Sequence, residues 1–181
     1  MHLRRFFSYI KPVAVEMVSR GKIVIGAAFA GLFAMLAGFV YYANLDNPQL
    51  EKVELELADV RLLDVNSVDQ RANLEVVFLV SNPGEKTTTV SSIRYELFVN
   101  DKNVGNGEYS VEDVALSGRA LVSPGQQIHF SSTFNLVYTN QIADEYSAVT
   151  NNETVKYSVR GMATIKSALS EIDKQFESVL G

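Results

Sequence analysis

An uncharged apolar run from Ile23 to Leu45, approached through basic residues and left through acidic ones, constrains this chain more than any other feature. As a helix, the 23 residues of this run would rise about 34 Å, enough to cross a hydrocarbon core of about 30 Å. Ile23, Val24, Ile25, Phe29, Leu32, Phe33, Leu36, Phe39, Val40 and Leu45 are its strong inserters. Each favours the bilayer centre by about 0.3 to 0.6 kcal/mol, whereas one Asp, Lys or Arg there would cost about 2.5 to 3.5 kcal/mol. The sequence therefore predicts a transmembrane helix over 23–45 behind a basic cytoplasmic tail over 1–22.

Charge sets the expected direction. Arg4, Arg5, Lys11, Arg20 and Lys22 precede the run against Glu16 alone, a net +4, while Asp46 to Gly181 carries −9. Basic residues flanking a span stay in the cytoplasm. The expectation is a single-pass protein of the cell membrane, N-terminus inside and C-terminal domain extracytoplasmic.

Three other readings of this end compete with it. A cleavable secretory signal has an apolar stretch of about 7 to 15 residues and small residues at its cleavage site, whereas this run is longer and ends in Tyr41-Tyr42-Ala43. Arg4-Arg5-Phe6-Phe7 resembles part of a twin-arginine export signal, but Ser8 and Tyr9 depart from its continuation. Leu3, Phe6, Phe7, Ile10, Ala14 and Met17 recur at helical spacing, as in a helix lying on an anionic leaflet, although Pro12 interrupts them. Within the run, Gly26, Ala30, Ala34 and Gly38 recur at steps of four with Ala27 and Gly31 beside them. Such a stripe admits a second helix at close range, from a membrane-protein partner or another copy of this chain, and the ordinary abundance of Gly and Ala in membrane helices accounts for it equally.

Asn47-Pro48 should stop the helix. The 136 residues from Asp46 onward suit one domain. With no cysteine, neither a disulfide nor a thiolate site supports them. Their dominant pattern is period two, the mark of half-buried strands. Ile128, Phe130, Phe134 and Leu136 oppose Gln127, His129, Ser131, Thr133 and Asn135. Val155, Tyr157, Val159, Ala163 and Ile165 oppose Lys156, Ser158, Arg160, Thr164 and Lys166, and Ile93, Tyr95, Leu97 and Val99 form a third stripe. Leu74 to Val80 is apolar on both faces, which predicts a strand that is central or covered on both sides. Val53, Leu55 and Leu57 shift phase to Val60 and Leu62, which predicts a bulge near Ala58-Asp59.

Turns at Asn82-Pro83-Gly84, Asn100-Asp101-Lys102-Asn103 and Pro124-Gly125 separate these runs. The fold class expected is mainly β, an antiparallel sandwich over 46–166. Gln141 to Thr150 reads as a short helix. Ser167 to Leu180 reads as a C-terminal amphipathic helix over 167–181, with Leu169, Ile172, Phe176 and Val179 on one face.

The order of these elements resembles the late embryogenesis abundant (LEA) type 2 family, also called the water-stress and hypersensitive-response (WHy) domain. The residues that carry the likeness are Val80-Ser81-Asn82-Pro83, Ser92-Ile93-Arg94-Tyr95-Glu96-Leu97, Val104-Gly105-Asn106-Gly107, the Pro124-Gly125 turn, the helix around Tyr146 and Tyr157-Ser158-Val159-Arg160-Gly161. The resemblance covers about Leu50 to Ile165. It implies a fibronectin-like β-sandwich with a helix, a non-enzymatic role and an association with stress or desiccation tolerance. Membrane-anchored prokaryotic members, archaeal ones especially, are similar in layout. It brings no catalytic residues.

The residues themselves point away from chemistry as well. His2 and His129 are the two histidines. His129 falls on the polar side of its strand, with no nucleophile-elbow pattern to mark a triad. Asp101, Asn103 and Gly105 fit a calcium loop poorly, because Gly105 stands fifth, where that loop needs Asp or Asn, and Asn106 sixth, where it needs Gly. A hairpin turn fits better. Gly105 and Gly107 precede no helix that could present its amides to a phosphate. The expectation is no catalytic residue, no cofactor and no metal, and the −9 charge argues against nucleic acid. Asn152-Glu153-Thr154 is an N-glycosylation sequon at Asn152. Three functions stay open: a stress-protective or binding module, an accessory subunit docking through the span, and a carrier of lipid or another apolar ligand.

Overall fold

The computed structural model describes residues 20–44, 47–110 and 121–180. The tail residues His2 to Met17 and Leu45-Asp46 lie outside them. α1 (Arg20–Asn44) has 25 residues. It is long and apolar enough to cross a membrane. Its side chains from Gly21 to Tyr42 are exposed. One turn, α2 (Asn47–Leu50), follows and buries Leu50 completely.

The rest is an antiparallel β-sandwich. Its strands are β1 (Glu54–Asn66), β2 (Arg71–Ser81), β3 (Thr88–Val99), β4 (Lys102–Ser110), β5 (Leu121–Val122), β6 (Gln127–Val137), β7 (Tyr157–Lys166) and β8 (Glu171–Val179). α3 (Ala143–Thr150) lies between β6 and β7. One sheet has the order β1-β2-β6, and the other β4-β3-β7-β8 with β5 paired to the start of β3. The layers thus have three and five strands, and the order β1-β2-β6 against β4-β3-β7-β8 is the fibronectin-like arrangement. β2 is central, as its two apolar faces predict, and Val77 on its outer side is buried between partners Asp59 and Ser131.

Local signals settle several details. The register of β1 on β2 slips between Leu57 and Asp59, where the phase shift placed a bulge, and slips again between Leu62 and Asp64. The second slip leaves Leu63 55% exposed. Asn100 and Asp101 both take positive φ, 50° and 66°, in the two-residue β3–β4 turn. That turn type matches the right-handed strand twist and favours Asn and Asp.

The layers meet through aromatic rings. Phe78 of β2 stands edge-on to Tyr95 of β3 at 5.0 Å and to Phe176 of β8 at 5.9 Å. Tyr109 of β4 meets Phe130 of β6 at 5.3 Å. The Tyr95 hydroxyl bonds Ser132 Oγ at 3.1 Å, and Ser132 Oγ donates to the Glu108 carbonyl at 2.9 Å. Ser132 sits on the inward side of β6 for this reason, the one polar residue between Phe130 and Phe134 in that row.

The C-terminal segment corrects the sequence reading. Residues 167–180 form no amphipathic helix: a turn over Ser167–Ser170 leads into β8, which pairs with β7 from Ser158–Val179 to Lys166–Glu171. The sandwich thus extends beyond 166 to include this segment. Ile172, Lys174, Phe176 and Ser178 form the more buried row of the strand. Lys174 and Ser178 break the apolar alternation, leaving a spacing that reads as helical. Their polar ends are used across the open side of the sandwich instead. Lys174 Nζ donates to the Glu51 and Val53 carbonyls, both at 2.6 Å, and Ser178 Oγ accepts the Leu57 amide at 2.9 Å.

Burial also sets an alkaline limit. It raises the phenol pKa of Tyr95, partly offset by the Ser132 hydrogen bond, and raises those of Tyr109 and Tyr157. Each ring stays protonated in the folded chain at a pH where the unfolded chain has begun to ionise. Their contribution is complete below the unfolded value of about 10 and is lost as pH rises through the higher folded values. Urea midpoints of the full-length chain in detergent should fall progressively above pH 10, and Tyr95→Phe should flatten that fall. A midpoint level through this range would contradict the assignment.

Candidate functional site

Two features stand out on the sandwich. The first is built around Asn82, 1% exposed at the end of β2. Its Nδ2 donates to the carbonyls of Lys86 at 2.8 Å and Val122 at 2.7 Å, and its Oδ1 accepts the Gly84 amide at 3.1 Å. Its backbone amide reaches Gln126 O at 3.0 Å, and its carbonyl accepts Gly125 N at 2.7 Å. An Asx turn over Asn-Pro-Gly is thereby tied to the β5–β6 turn forty residues on. Asn82 is a structural knot in which both amide hydrogens and the carbonyl oxygen have partners.

The second is a shallow trough of about 1000 Å³ on the outside of the five-stranded sheet. One cross-strand row, Gly107, Tyr95, Gly161 and Phe176, forms its floor. Tyr95 and Phe176 turn inward to the core, and both glycines are sterically required. A Cβ on Gly107 would overlap the Tyr95 ring, and one on Gly161 would overlap the Arg94 carbonyl. The walls are the outward rows on either side, Glu108, Arg94, Met162 and Gln175, then Asn106, Glu96, Arg160 and Glu177. Arg160 pairs with Glu177 at 3.3 Å and lies over the Phe98 ring at 5.7 Å. The trough offers guanidinium, carboxylate and amide groups in an open, hydrated array. A smaller groove of about 660 Å³ runs between β1 and β8.

The residues singled out in the sequence fall apart in space. Gly26, Ala30, Ala34 and Gly38 are exposed on α1, and a Cβ added at Gly26, Gly31 or Gly38 would meet nothing within 4 Å. Steps of four drift by about 40° each on a 3.6-residue helix, so the stripe winds partly round it. His129 is exposed opposite Leu79 on the outer side of its sheet. Asp101 pairs with Lys156 at 3.0 Å, and Asn103 Oδ1 accepts the Gly105 amide at 2.8 Å, so these side chains serve the hairpin. Asn152 is exposed at φ 58° just after α3, a left-handed position that favours Asn whether or not it is modified. Among the described residues no cluster of three or more His, Asp or Glu side chains is placed to hold a metal.

Neither feature was visible in the sequence. Asn-Pro-Gly signalled a turn, but nothing nearby named Val122 as the side chain's partner. The trough is assembled from two hairpins, β3–β4 and β7–β8, that lie far apart in the chain.

No family profile and no curated protein matches the sequence. Solved structures similar to this chain include a crystal structure from Archaeoglobus fulgidus, 19% identical over 70% of this chain and 94% of the other, with a TM-score of 0.44. A solution structure from Arabidopsis thaliana is 15% identical over 68% of this chain and 79% of its own, with a TM-score of 0.46. Another, described provisionally as a late embryogenesis abundant protein, is 16% identical over 90% of both chains, with a TM-score of 0.40. At such identities and scores none of these likenesses says what this chain does.

Proposed function

We propose that the chain is a single-pass, membrane-anchored module of the LEA type 2 kind, held outside the cytoplasm, non-enzymatic, and protective or binding in role. The observation that carries this reading is the trough, an open surface of mixed charge and amide groups suited to the hydrated surfaces of other macromolecules. The span supports the anchoring, and the +4 against −9 charge split supports the direction. The Ser81-Asn82-Pro83 string supports the family likeness, and its asparagine ties the turn after β2 to β5.

The test is protection by the full-length chain in nanodiscs of a labile enzyme through drying or heating. Activity retained with the chain and lost without it is the expected result, and Arg94→Glu with Arg160→Glu should diminish it. An inert parent chain, together with an unaltered stress phenotype on deletion, would remove the proposal. A second reading, an accessory subunit docking through the span, is favoured by the exposed Gly26–Gly38 stripe on α1. Native mass measurement of the same preparation separates the two, since a lone monomer sinks the assembly reading.

A further inference from the structure

We propose that β6 pairs antiparallel, edge to edge, with β6 of a second copy of this chain, joining two three-stranded sheets into one. In an antiparallel ladder, alternate residues turn both backbone groups toward the neighbouring strand, and the residues between them turn both away. On β6 this phase is fixed at both ends. The Asn82 amide donates to Gln126 O at 3.0 Å and the Tyr138 amide to Gln70 O at 2.9 Å, and both pairs continue the β2–β6 register. Gln127, His129, Ser131, Thr133 and Asn135 therefore point their amides and carbonyls away from β2. Among the described residues none of these backbone groups has a partner, and all five side chains are exposed.

The other long edges are closed to such pairing. On β4, Ser132 Oγ takes the Glu108 carbonyl; on β1, Ser178 Oγ takes the Leu57 amide and Lys174 Nζ the Val53 carbonyl. β6 and β8 supply these caps, so each reaches past the edge it covers. β1 is broken further by its two register slips. β8 carries Glu171, Asp173 and Glu177 along its exposed row. Set against a copy of itself about Gln175, it would oppose Asp173 to Glu177, and like charges directly opposite repel.

β6 lacks every such guard. Charges, prolines and bulges are what keep an edge strand from pairing. Over its eleven residues β6 has no Asp, Glu, Lys, Arg or Pro, and its register runs from Arg71–Val137 to Ser81–Gln127 without a slip. A two-fold axis at Ser131 sets Ser131 against itself, His129 against Thr133 and Gln127 against Asn135 of the copy. These are side chains able to bond one another, at positions where the backbone makes two bonds per pair. A self-matching edge with no like-charge contact selects a second copy of the chain as its occupant.

Native mass measurement of the full-length chain in detergent, at graded concentrations, should show a dimer. Ser131→Lys and Ser131→Glu should each weaken it by at least about tenfold, because the axis sets each new charge against its own copy. An equal mixture of the two variants should restore it. Ser131→Pro should also yield monomer with its thermal transition retained, since the amide it deletes points away from β2. Should the proline variant fail to fold, the two charge variants and their mixture carry the test. A monomeric parent overturns the proposal, and so does a mixture no better than its parts. A dimer that persists in Ser131→Lys is made elsewhere in the chain, and a parent that instead carries a different protein on this edge has another occupant; either overturns it.

Discussion

Asn82→Ala should lower the stability of the sandwich by about 2 to 4 kcal/mol, because it removes a buried donor to two carbonyls and the acceptor of one amide in a site that admits little water. The side chain is 1% exposed, and its three bonds join Lys86, Val122 and Gly84. For a domain of this size such a loss corresponds to a fall in Tm of roughly 10 °C, measurable by circular dichroism on the full-length chain in detergent. Asn82→Asp should be no milder. It keeps an acceptor for Gly84 but turns a carboxylate oxygen toward two carbonyls. A Tm unchanged in both variants would show that the knot contributes nothing.

Phe78→Ala should cost more, roughly 3 to 5 kcal/mol, a large share of the 5 to 15 kcal/mol that holds a typical domain. Phe78 is fully buried, paired in register with Leu57 and Phe130, and its ring meets those of Tyr95 and Phe176 from the opposite sheet. Its removal opens a cavity between the layers that neither sheet can close without losing its own ladder. The urea midpoint should fall steeply, with Phe78→Leu intermediate. Equal midpoints for parent and alanine variant would place the core elsewhere.

These two positions show what local sequence can and cannot convey. Alternation in Gln127 to Leu136 revealed β6, and the doubly apolar Leu74 to Val80 revealed a central strand, because burial on one face or two is a local pattern. The slip after Leu57 and the Asn100-Asp101 turn were equally local. β8 was not, since Lys174 and Ser178 serve partners more than a hundred residues away and leave a spacing that mimics a helix. The trough escaped for a related reason: its floor combines Gly107, Tyr95, Gly161 and Phe176, and only register brings them into one row. The apolar helix α1 carried the plainest signal because length and hydropathy are read from consecutive residues.

The contact between β1 and β8 also bears on when this sandwich can form. Leu57 meets Ser178 across 121 positions of sequence, so the first strand waits for the eighth before its open side is covered. Closure of so long a loop is entropically slow, and folds dominated by such contacts take milliseconds to seconds. Until β8 arrives, the unpaired edge of β7 and the uncovered side of β1 are open to wrong partners. Any lesion that removes residues from Glu171 onward should therefore yield a sticky intermediate rather than a smaller domain.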